Sequence, residues 1–89
     1  MNDKINEISV QELAQRLKEE GLECGIELKE KSLIIRSKEN CFQLTIEGEE
    51  ILIKNLQSST ILEAIELAQK LKEITRKFLS VNKITIEIF

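Results

Sequence analysis

The chain switches between two hydrophobic periodicities, and each switch marks a boundary between elements. Val10, Leu13, Ala14 and Leu17 recur at helical spacing and make one narrow apolar stripe. Ser9 precedes them with Glu12 three residues on, the pattern of a capping box, and Ile8 is spaced to staple onto Leu13. Gly21 predicts the stop, because it tolerates the left-handed conformation of a C-cap, and Leu22 is placed to fold back on the last turn. Glu12–Arg16 and Arg16–Glu20 are spaced as charge pairs on the wet side. Residues 1–8 read as a short tail, and 9–89 as a single α+β domain.

The period then falls to two. Cys24, Ile26 and Leu28 alternate with Gly25, Glu27 and Lys29, as in a half-buried strand. A second strand over Ser32–Ser37 carries the triplet Leu33-Ile34-Ile35. A third sets Phe42, Leu44 and Ile46 against Gln43, Thr45 and Glu47. Gly48 supplies the turn, and a fourth strand over Ile51–Asn55 carries the triplet Ile51-Leu52-Ile53. Short polar connections make these an antiparallel meander.

Helical spacing returns after Gln57-Ser58-Ser59, where Thr60 and Glu63 form a second capping box. In the predicted helix, Ile61–Ser80, the apolar positions Ile61, Ala64, Ile65, Leu67, Ala68, Leu71, Ile74 and Phe78 cover about half the circumference. Ile84, Ile86 and Ile88 then alternate with Lys83, Thr85 and Glu87 in a last strand of undecided direction. The order α-β-β-β-β-α-β predicts a two-layer α+β fold, with both helices on one face of an antiparallel-rich sheet of about five strands. Leu13, Leu17, Ile26, Leu44, Ile46, Ile65, Leu71, Phe78 and Ile86 are the expected common core.

Composition narrows the function classes. Apolar residues make up 42% of the 89, charged residues 33%, and the longest apolar stretches are three residues. That excludes a membrane-spanning helix and predicts a globular chain. The opening MNDKINEIS has no apolar run, so no signal peptide is expected and the predicted location is cytoplasmic. Cys24 and Cys41 are then expected as reduced thiols, Cys24 in the core, with a disulfide between them as the alternative. Two lone cysteines without histidine cannot assemble a zinc site.

The chain has no His, Trp, Tyr or Pro. Histidine is the commonest acid–base group at neutral pH, and almost every Glu here falls at a polar position or in a turn. Ser58-Ser59-Thr60 has no base beside it and is explained by helix capping. The three Gly fall at a C-cap, in a strand and in a turn, so no phosphate-cradling loop forms. No cofactor and no enzyme activity are expected.

Two binding readings are left. Residues 67–83 carry Lys70, Lys72, Arg76, Lys77 and Lys83 against Glu73 alone. Lys70, Arg76, Lys77 and Lys83 are candidate contacts to nucleic acid, since phosphates need little beyond positive charge. Cations also suit a helix C-terminus, the whole chain is net −3, and its three Phe are core candidates, so nucleic acid is the secondary reading.

The triplets carry the first. Ile34 and Leu52 each oppose their apolar neighbours, so they belong on the sheet face away from the helices, with Cys41, Gln43 and Thr45 near them. A wet face has no need of them. Ile34, Leu52, Cys41 and Thr45 are the candidate protein-contact residues. The chain is expected to be a small accessory or regulatory module that binds a protein partner, a weakly associating second copy included, by complementary surface.

Overall fold

A computed structural model describes residues 2–27, 31–79 and 81–88. Helix α1 (Asn2–Glu19) leads into strands β1 (Glu23–Glu27), β2 (Ser32–Ser37), β3 (Asn40–Glu47) and β4 (Glu50–Gln57). Helix α2 (Ile61–Phe78) and strand β5 (Lys83–Glu87) complete the predicted order. Leu28, Lys29 and Ser80, read above as ends of the first strand and second helix, lie outside the described residues.

The five strands stand in the order of the sequence, β1-β2-β3-β4-β5. The first three pairings are antiparallel, and β5 joins β4 in parallel through the α2 crossover. The register sets Leu33, Leu44, Ile53 and Ile86 in one row across the sheet, and Ile46, Ile51 and Ile84 in another. These side chains share a face with Ile35 and Phe42, and together with Val10, Leu13, Ala14 and Leu17 from α1 and Ala64, Leu67, Ala68 and Leu71 from α2 they form one core. Both helices therefore cover the same face.

Three expectations change. Helix α1 begins at Asn2, so it runs through the segment read as a tail, and neither Ser9–Glu12 nor the Ile8 staple marks its start. No Gly or Pro stands between Met1 and Gly21, and each residue added to an existing helix gains a hydrogen bond, so propagation overrides an internal capping signal. Arg16 meets Glu19 at 3.7 Å in place of Glu12 or Glu20. Ile26 and Ile65 are not core. Ile26 faces the helix layer but stands on the edge strand with shelter on one side only, and Ile65 lies about 100° around α2 from the buried Ala64. Phe78 and Ile86 are half-buried against the core.

The end of α1 and the start of α2 follow the sequence closely. Gly21 has φ +88°, its N–H donates to Lys18 O at 3.0 Å, and Leu22 N–H donates to Leu17 O at 3.1 Å. That pair of bonds is a Schellman ending, sealed by the burial of Leu22. At the start of α2, Glu63 N–H donates to Thr60 Oγ1 at 3.1 Å. The Glu63 carboxylate accepts from Ser59 Oγ at 2.9 Å and from Asn40 Nδ2 at 3.3 Å, which fastens the helix to the first residue of β3. These hydrogen bonds to Ser59 and Asn40 hold the Glu63 pKa below its ordinary value.

The cysteines cannot bridge. Cys24 pairs with Ile35 on the helix side of the sheet, whereas Cys41 pairs with Arg36 two strands away on the other face. Both are free thiols, and Cys24 packs half-buried against the core. Burial raises the Cys24 pKa, and nearby Lys18 offsets part of the rise. A raised thiol pKa leaves less thiolate at neutral pH, so Cys24 is expected to react with iodoacetamide more slowly than a free model thiol. The pH–rate curve should also be displaced to higher pH. Labelling at the model rate with an undisplaced curve contradicts this environment.

Candidate interaction surface

Alternation along each strand decides which residues reach the outer face. Leu33, Ile35, Phe42, Leu44, Ile46, Ile51 and Ile53 turn toward the helices, so Ile34, Cys41, Gln43, Thr45, Leu52 and Thr85 turn away from them. All six are half-buried, and among the described residues no helix or strand is layered on this face. Ile34 and Leu52 therefore stand where the triplets place them.

The register fixes their spacing. Ile34 pairs with Gln43 and Leu52 with Thr45, so the two lie on either side of β3 and two residues out of step. Two inter-strand spacings combined with a two-residue offset put them about 12 Å apart. On β3 between them, Gln43 stands beside Ile34 and Thr45 beside Leu52, and the Gln43 amide donates to Ser32 Oγ at 3.4 Å. Cys41 sits two register pairs beyond Gln43, opposite Arg36. Ile34, Thr45 and Leu52 thus form a diagonal band, with Cys41 at its margin.

Gly25 exposes one flank of that band. It pairs with Ile34 and contributes no side chain beside it, leaving a hollow of about 400 Å³ lined by Glu23, Cys24, Gly25, Ile26, Ile34 and Arg36. Ile34 is in this way reachable from the β1 edge as well as from above the sheet.

A second apolar group escapes the sequence reading. Leu62 is 66% exposed, Ile61 57%, Leu56 49% and Ile65 40%. The first turns of α2 bring Ile61, Leu62 and Ile65 together, since they lie three and four residues apart. Leu56 comes beside Ile61 by way of an irregular register. Phe42 pairs with Asn55 but Cys41 pairs with Gln57, so β4 holds one extra residue at Leu56. The Asn55 amide secures the distortion, donating to Ser58 Oγ at 2.8 Å, Gln57 O at 3.3 Å and Cys41 O at 3.4 Å. Leu56, Ile61, Ala64 and Ile88 then line a groove of about 490 Å³ beside the start of α2. Leu62 lies about 180° around α2 from the buried Leu71, and that helical offset was readable in the sequence. Nothing in the strand pattern signalled Leu56.

The candidate basic residues are distributed over α2 and β5. Lys70 and Lys77 are seven residues apart on one stripe of α2. Arg76 borders a different groove, with Gln69, Lys72, Glu73 and Ile86. Lys83 opens β5, with the acidic Glu50 as its register partner.

Among the described residues, no group of three or more His, Cys, Asp or Glu is placed to hold a metal ion. No helix there is long and apolar enough to cross a membrane. No protein-family model matches the chain, and neither a curated protein nor a solved structure is detectably similar to it.

Proposed function

We propose that this chain is a small protein-interaction module, an accessory or regulatory protein that works by surface complementarity in the cytoplasm. The observation that carries the reading is the outer sheet face: Ile34 and Leu52 stand on it half-buried, with Thr45 between them and no described element layered above. Apolar side chains gathered on an open surface favour a partner that removes them from water. Leu56, Ile61, Leu62 and Ile65 add a second apolar area at the start of α2, to which the same argument applies. The band on the sheet is small beside a standard interface, so binding through it alone is weak and transient.

The test is affinity capture from the native host, with the intact chain as bait and a nuclease-treated arm alongside. A protein partner that survives nuclease treatment and raised salt is the expected result. Capture that vanishes with nuclease or falls steeply with salt would assign the chain to nucleic acid instead, because phosphate contacts release counterions.

A further inference from the structure

We propose that two copies of this chain pair through β5, antiparallel, about a two-fold axis at Thr85. The outer side of β5 is a sheet edge: among the described residues its neighbour is β4 alone. An unpaired edge offers a row of backbone donors and acceptors to any strand that fits it. The sequence of the edge, Lys83-Ile84-Thr85-Ile86-Glu87, fits itself. A two-fold axis at Thr85 sets Lys83 against Glu87 of the second copy and Glu87 against its Lys83. Both are exposed, and opposite charges directly across a strand pair are favourable. The same operation places Ile84 against Ile86. Both remain half-buried in the single chain, so the pairing extends the apolar layer beneath the helices across the axis.

The other edge argues for the same choice by contrast. β1 reads Glu23-Cys24-Gly25-Ile26-Glu27, and a two-fold axis at Gly25 sets Glu23 against Glu27 at both ends. Like charges in that position oppose pairing. One edge is self-complementary and the other self-repelling, so association stops at two copies joined in a closed, isologous contact. This surface is separate from the outer face proposed above, and either can fail alone.

Sedimentation equilibrium of the intact chain against concentration tests the proposal. Wild type should approach twice 10.3 kDa. Lys83→Glu and Glu87→Lys should each weaken association by about tenfold, since each turns both cross-axis pairs into like charges. The combined variant Lys83→Glu with Glu87→Lys restores opposite charges and should return to within about threefold of wild type. Each reversal also sets like charges within the chain, Lys83→Glu against Glu50 and Glu87→Lys against Lys54, so circular dichroism and the unfolding midpoint of each variant must match wild type before its association is compared. A monomer at every concentration up to about 1 mM overturns the proposal. So does a dimer indifferent to the single charge reversals, or one that the combined variant fails to restore. Ile34→Lys with Leu52→Lys should leave the dimer intact, and loss of the dimer in that variant alone moves self-association to the sheet face.

Discussion

Phe42→Ala is expected to destabilise the fold by about 3–5 kcal/mol. Phe42 is the largest fully buried side chain among the described residues, on the middle strand of five, with Ile35 and Asn55 as its register partners. Truncation removes an aromatic ring from the centre of the layer between sheet and helices. The secondary structure around it is held on both sides and can collapse only partly into the space. A domain of this size has on the order of 5–10 kcal/mol in total, so the variant approaches the limit of folding. Urea unfolding followed by circular dichroism reads the loss. Phe42→Leu, which keeps most of the volume, should lose less and fold in any case. A loss below about 1 kcal/mol for Phe42→Ala would mean that the centre of the core lies elsewhere.

Leu71→Ala should cost about 2–5 kcal/mol by lost burial and the cavity left behind. Leu71 is fully buried at the centre of the inner stripe of α2, between Leu67 and Thr75 one turn either way. Ile65→Ala on the same helix should change stability by no more than about 0.5 kcal/mol, because Ile65 is exposed. The pair measures the rotation of α2 about its own axis. Equal losses for the two, or a larger loss for Ile65→Ala, would place the helix about a quarter-turn away from this register.

The fold was legible where local chemistry and long-range packing agree. β2 has the predicted bounds, and Gly48, with φ +63°, turns the chain from β3 into β4 as its sequence implied. Gly21 and Thr60 set helix ends for reasons that lie within a few residues of each. The start of α1 was misread because a capping box is a local preference, and an uninterrupted helix upstream outweighs it. Burial was misread at Ile26 and Ile65 for a different reason. Periodicity identifies an apolar arc, but the width of the arc that is covered depends on what packs over it. The same gap hid Leu56, whose exposure follows from a register shift between β3 and β4. The face on which Ile34 and Leu52 stand was legible because alternation alone fixes it. Their distance apart needed the pairing register, and so did the incompatibility of Cys24 with Cys41.

The reading rests on the outer sheet face, and a paired substitution tests it most directly. Ile34→Lys with Leu52→Lys puts two charges into the band without touching the core on the opposite face. An unchanged circular dichroism spectrum, an unfolding midpoint close to wild type, and loss of the partner that the wild-type chain retains are the expected results. An unfolded variant would place these side chains in the core, and a folded variant that still retains the partner would contradict the sheet face as the binding surface.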